Sequence, residues 1–182
     1  MKKILILILT FFMFLPAMSA EYPRWVSLPI SVYIPENGNY TRLMKNAFED
    51  WERVSDNLVR FSYTRSSESA DITVEFVDFV VNCGDGHAVG CARNATRGRN
   101  YTKSLISIAT KDTMVKYTQG QFKRTTGSRP INNIYGVMLH EIGHALGLGH
   151  SEDSNSVMYP YDLKTMQYLT ENDLQLLYNK YH

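Results

Sequence analysis

Three histidines and a glutamate fall in one short stretch, His140-Glu141-Ile142-Gly143-His144-Ala145-Leu146-Gly147-Leu148-Gly149-His150, followed by Ser151. On a helix, residues four apart lie one above the other. His140 and His144 can therefore turn both imidazoles toward one ion. Glu141 follows the first ligand and can reach a water held by that ion. Gly147 lets the chain leave the helix with positive φ, and the turn returns His150 as a third nitrogen ligand. Three protein ligands with a fourth position open make a catalytic zinc site, whereas structural sites close all four. A bare His-Glu-x-x-His arises by chance on many helices, where such histidines are packed or solvated. Chance does not readily supply the extension to Gly147 and His150. Nor does it supply Met158 in Ser156-Val157-Met158-Tyr159-Pro160, a soft apolar floor beneath three imidazoles.

The elements that must position these groups are legible in outline. Residues 29–35 alternate between prolines and read as a strand. From about Tyr40 the period changes: Leu43, Met44, Ala47, Phe48, Trp51 and Val54 recur at helical spacing, with charged residues opposite. That stripe reads as core. Residues 58–64, 71–77 and 105–110 read as further strands. Residues 83–99, rich in Gly and Asn, read as a loop, and residues 111–130 carry no clear pattern. Residues 134–146 form the helix that bears the histidines, with Val137, Met138, Ile142 and Ala145 inward. Thr170 caps a last helix. The order predicts an α/β domain (α+β): a twisted mixed sheet with a long helix, an active-site helix and a C-terminal helix.

The 182 residues carry 19 basic and 18 acidic side chains, which gives no electrostatic case for nucleic acid or a membrane surface. Lys2 and Lys3, an apolar run over residues 4–15 and the small residues up to Ala20 read as a signal peptide cleaved after Ser19 or, better, Ala20. The run is too short for a lasting anchor. Residues 21–182 are expected to be one exported domain, secreted or periplasmic, and a monomer. Cys83 and Cys91 most simply pair as one disulfide in an oxidising compartment; two free or metal-binding thiols are the alternative. Asn39, Asn94 and Asn100 head glycosylation sequons, of consequence only in a eukaryotic secretory route.

The extended histidine string with its later methionine is the metzincin signature. Ser151 after the third histidine and the turn Met158-Tyr159-Pro160 resemble the matrixins, the matrix-metalloproteinase-like branch, here in a minimal, bacterial-looking form. The resemblance extends over residues 24–181 through residues 29–35, Ala47-Phe48-x-x-Trp51, residues 70–76 and Leu169-Thr170-x-x-Asp173, in the family's order. It implies a zincin-like catalytic domain, one catalytic Zn2+ on His140, His144 and His150, and Glu141 as general base. It also implies an extended substrate laid antiparallel on an edge strand, for which residues 105–110 are the candidate. Pro160, Tyr161 and residues 162–168 would wall the pocket after the cleaved bond and favour an apolar side chain there. The family's second, structural zinc needs several histidines. Only His87 and His182 remain outside the motif, so a single zinc is expected. Calcium at Asp78 or Asp85 is open, but no spacing argues for it. No cysteine is read ahead of the domain to block the metal, so the protein is expected either to be active once exported and folded or to be held by a separate protein inhibitor.

The expected function is a secreted zinc endopeptidase acting on proteins or peptides. Two alternatives stand beside it. One is a catalytically silent module that grips peptides, although such modules usually lose the glutamate or a ligand. The other is a zinc amidase acting on a cell-wall bond with the same core chemistry.

Overall fold

A computed structural model describes residues 23–84, 88–118, 121–130, 134–161 and 168–182. The segment read as a signal peptide, Asp85, His87 and residues 162–167 of the expected pocket wall lie outside the described residues. The chain folds as β1 (Ile30–Tyr33), α1 (Asn39–Val54), β2 (Phe61–Tyr63), β3 (Ile72–Val77), β4 (Gly90–Arg97), β5 (Asn100–Ala109), β6 (Lys111–Thr118), β7 (Gln121–Ser128), α2 (Tyr135–Ala145) and α3 (Glu171–Tyr181). Five strands form a mixed sheet in the order β2-β1-β3-β5-β4. All neighbours are parallel except β4 and β5, which are antiparallel. The α/β reading from sequence holds.

α1 buries the stripe its period predicts: Met44, Ala47, Phe48 and Trp51 are fully buried. It packs against α2, and α2 lies on β4 and β5. The core is therefore the space between two helices and the sheet, filled by Ile72, Ile106, Ile108, Met138, Leu139 and Ile142. Trp51 donates its indole N–H to the Leu139 carbonyl at 3.0 Å, a buried polar tip given a partner.

Two readings of the sequence are corrected. Residues 83–99 are not all loop, because Gly90–Arg97 is the strand β4. The edge strand beside α2 is β4, not residues 105–110, of which 105–109 lie within β5 with β3 on one side and β4 on the other. β4 reads Gly-Cys-Ala-Arg-Asn-Ala-Thr-Arg and holds a single β-branched residue, so propensity gives no strand signal. Pairing supplies what propensity lacks. Arg97 faces Asn100 across a two-residue hairpin loop, and Gly98 takes the positive φ of 62° that such a loop needs. The pattern-free residues 111–130 contain a second sheet, the antiparallel ribbon β6–β7. Its base is tied down by Arg129 N–H to the Thr110 carbonyl at 2.8 Å and by the Tyr40 hydroxyl to the Arg129 carbonyl at 2.9 Å.

Candidate metal centre and cleft

α2 ends one residue after its second histidine. The Gly147 N–H bonds the His144 carbonyl and the Leu148 N–H bonds the Gly143 carbonyl, both at 2.9 Å, with Gly147 at φ 94°. This is a Schellman closure, which only a glycine makes without strain. Three distant side chains also donate to carbonyls of this last turn, one of them to the His144 carbonyl that Gly147 already bonds. Asn94 Nδ2 donates to His144 O at 2.8 Å, the Trp25 indole to Ala145 O at 2.8 Å and the Tyr181 hydroxyl to Leu146 O at 3.1 Å. The helix end that carries His144 is thus held from β4, the N-terminal segment and α3 together. Asn94 is engaged in this bond, so its sequon is not a free glycosylation site.

Beyond the turn, His150 comes back to the other two histidines. One ligand atom from each of His140, His144 and His150 lies within 4.8 Å of the others. The His140 and His144 rings are 4.5 Å apart, and His150 lies 5.4 and 4.9 Å from them. His140 Nδ1 meets the Val157 carbonyl at 2.6 Å and His144 Nδ1 meets the Leu148 carbonyl at 2.8 Å. A carbonyl only accepts, so each Nδ1 carries the proton and Nε2 is left to ligate. Burial pushes the His140 imidazole down to about 4, reinforced by its histidine neighbours and opposed by the Val157 carbonyl. Burial lowers His144 as well. Neutral, pre-oriented imidazoles are what zinc requires of its ligands, so the donor set fits that ion. Among the described residues no other such cluster gathers. Asp78, weighed for calcium, pairs with Lys111 at 2.6 Å, and His182 stacks on Tyr178.

Met158 is fully buried beneath the centre. A Cβ on Gly143 would collide with its sulfur and press Trp51 Cζ2 at 3.3 Å, so the glycine of the motif makes room for the methionine. Asp173, fully buried at the start of α3, accepts from the Ser156 hydroxyl at 2.5 Å and the Val157 N–H at 3.3 Å. It closes a capping box with Thr170 through the same carboxylate. Because Val157 presents the carbonyl that His140 bonds, Asp173 sets that imidazole from α3. Sequence reading placed Asp173 only as a family match, and nothing in its spacing announces this contact.

Glu141 is buried against the edge strand. A Cβ at Gly90 would lie 2.5 Å from Glu141 Cγ and Oε1 and 2.7 Å from Val137 Cγ1. Gly90 therefore lets β4 backbone lie directly on the carboxylate, and sequence reading missed this role as well. Burial raises the Glu141 carboxyl to about 8, and the Ala92 N–H pulls the other way. The cleft along β4 is lined by the histidines, Glu141, Pro160 and Tyr161, so both wall residues expected from sequence border it. Cys83 and Cys91 are joined. Cys91 lies within β4 next to Gly90, so the bridge clips the preceding loop to the cleft's edge.

A family model described as Matrixin matches residues 30–182. The chain belongs to the matrixins. Among curated matrixin relatives it is 29% identical over 154 residues to Metalloendoproteinase 1 of Glycine max, covering 77% of the chain and 46% of that protein. It is 28% identical over 174 residues to Macrophage metalloelastase of Rattus norvegicus, covering 92% of the chain and 33% of the relative. It is 30% identical over 164 residues to Interstitial collagenase of Sus scrofa, covering 85% and 30%. The chain spans less than half the length of each of these relatives. Matrixins use a catalytic zinc, and this matrixin presents the three-histidine group that can hold it. Among the described residues no helix is long and apolar enough to cross a membrane.

Proposed function

We propose that this matrixin is a secreted zinc endopeptidase that cuts extended polypeptides. The observation that carries the reading is the meeting of three imidazoles, two of them buried and pinned through Nδ1, with a buried carboxylate at an edge of the sheet. His140, His144 and His150 would hold the ion. Bound zinc would supply Lewis acidity, which brings the pKa of a water to about 7 and polarises a carbonyl. Glu141 would take the proton of the attacking water and hand it to the departing amine. A carboxylate suits this role because it accepts and releases a proton beside a dication, where a histidine would compete as a ligand. Its dry setting makes it a stronger base than a solvated glutamate until the nearby cation draws the pKa back down. β4 ends the sheet with no further strand beyond it among the described residues, and a substrate strand added antiparallel would extend the sheet there. Main-chain bonding of this kind tolerates many sequences and leaves selectivity to pockets.

The leader over residues 1–20 would export the chain to an oxidising compartment, consistent with the Cys83–Cys91 bridge. The test is digestion of a mixed peptide library by the purified protein, with and without a zinc chelator, beside Glu141→Ala. Cleavage lost in both controls, with one zinc retained by Glu141→Ala, is the expected result. A protein that holds one zinc and cuts neither peptides nor casein would overturn the reading and turn attention to peptidoglycan amides or to binding alone.

A further inference from the structure

The chain carries an arginine in its cleft that the reaction does not use. Arg129 follows the β6–β7 ribbon in the chain and contacts Lys111 and Asp112 at its base, and its side chain is only 9% exposed. It lines the same cavity as His140, Glu141 and Val137. Its neighbours satisfy it poorly. Nη2 lies 3.4 Å from Asp112 Oδ1 and 3.5 Å from the Lys111 carbonyl, both long for a charged pair. Nε is buried with no hydrogen-bond partner among the described residues. A guanidinium that only braced a ribbon would be expected to spend its donors on that ribbon, because an unmet buried donor is costly.

The position of Arg129 along the cleft says what it would meet. β4 runs from Gly90 to Arg97, so an antiparallel substrate strand passes Arg97 first and Gly90 last. Residues after the cleaved bond therefore lie at the Gly90 end. Gly90 pairs with Ile108, and two residues further on, just past the end of β5, the Thr110 carbonyl receives the Arg129 N–H. Ala88, Val89, Val137, Pro160 and Tyr161 give this part of the cavity largely apolar walls. From Glu141 back to Val137 is about one helical turn, roughly 6 Å, close to the reach of a glutamine or methionine side chain.

We infer that Arg129 is a specificity-determining residue of the cleft, selecting after the cleaved bond a side chain of glutamine or glutamate length that ends in an acceptor oxygen. The walls take the methylenes and the guanidinium takes the oxygen. Charge-assisted donation to a carboxylate or amide oxygen gives the guanidinium tip, held in the protein only by the two long contacts of Nη2, a short bond. This refines the expectation of a purely apolar pocket, and it rests on the endopeptidase reading.

The experiment uses four peptides identical except after the scissile bond, where they carry Glu, Gln, Met or Leu. Their kcat/KM is measured with the zinc-loaded protein, Arg129→Met and Asp112→Asn. Their affinity for zinc-loaded Glu141→Ala, with and without Arg129→Met, is read by fluorescence anisotropy. The wild type is expected to favour Gln or Glu over Leu by about ten-fold in both readouts. Arg129→Met should reverse that order, and Asp112→Asn, which frees the guanidinium of its ion pair, should shift preference further toward Glu. A wild-type preference for Leu or Met that Arg129→Met leaves unchanged, or affinities indifferent to residue 129, would overturn the inference. If nothing is cut but the peptides bind with the expected order and its reversal, the endopeptidase reading fails and the role of Arg129 stands. The melting temperature of each variant identifies any that misfolds, and Arg129→Lys then tests whether charge alone restores the order.

Discussion

Glu141 draws its chemistry from where its neighbours put it. Gly90 lets the edge strand touch the carboxylate, and a methyl group there has nowhere to go: 2.5 Å from Glu141 Cγ is closer than real contacts allow. Gly90→Ala is expected to leave zinc content intact and to lower kcat/KM by about a hundred-fold, since a shift near 1 Å at a reacting group costs on that order. Activity within three-fold of the wild type would show that the strand is not held against Glu141. In the metal-free protein Glu141 also makes stability depend on pH. Its folded pKa of about 8 lies above the ordinary 4.5, so the folded state keeps a proton that the unfolded chain loses. That contribution is full below pH 4.5 and is lost as pH rises toward 8. His140 acts in the opposite sense, with a folded pKa of about 4 against 6.5; its contribution is full above pH 6.5 and is lost as pH falls toward 4. Subtracting the metal-free Glu141→Gln stability curve from that of the wild type removes the histidine part. The wild type is expected to lose ground steadily between pH 4.5 and 8, and a flat difference would deny that Glu141 is buried dry. The histidines, the glutamate and Met158 were legible from type and spacing, because ligand geometry on a helix is local. Gly90 and Asp173 were not, because their partners lie 51 and 16 residues away in sequence.

At the scale of elements, α3 sets the metal site without touching it. Asp173 caps its own helix, holds Ser156 and Val157, and through the Val157 carbonyl fixes the His140 ring. Asp173→Ala strands several buried donors, so it is expected to cost about 3–5 kcal/mol of stability. It should also weaken zinc binding roughly ten- to hundred-fold, as lost support behind a ligating histidine does. Denaturant unfolding together with competition against a zinc-chelating dye checks both, and intact zinc affinity would confine Asp173 to capping. The three helices read correctly from sequence. Their 3.6 period, the glycine exit from α2 and the Thr170 cap are signals carried within one or two turns. β4 and the β6–β7 ribbon escaped because they are strands by partnership: neither shows sustained alternation of apolar and polar residues, and their hydrogen bonds are fixed only once β5 or the partner strand is present.

Among the described residues, α1 and α2 layer on a five-stranded mixed sheet, joined by α3 and the β6–β7 ribbon, and the cleft runs along the edge strand β4. The Cys83–Cys91 bridge closes a short loop onto that last strand. Breaking it with Cys83→Ala and Cys91→Ala together is expected to lower stability by about 2–3 kcal/mol and to raise KM more than it lowers kcat, because it loosens the edge that would bind substrate. Equal stability of the two proteins in denaturant would show that the core alone holds β4. The sequence by itself determined the three-histidine group that can hold the metal, the glutamate proposed as its base, the simplest pairing of the two cysteines and the α/β class, since each follows from residue type at short range or from the periodicity of single elements. Only the tertiary structure decided which strand forms the edge, what keeps Glu141 dry, what orients His140 and why a buried arginine faces the cleft. Those facts are contacts between segments far apart in the chain, and they exist only after burial has brought the segments together.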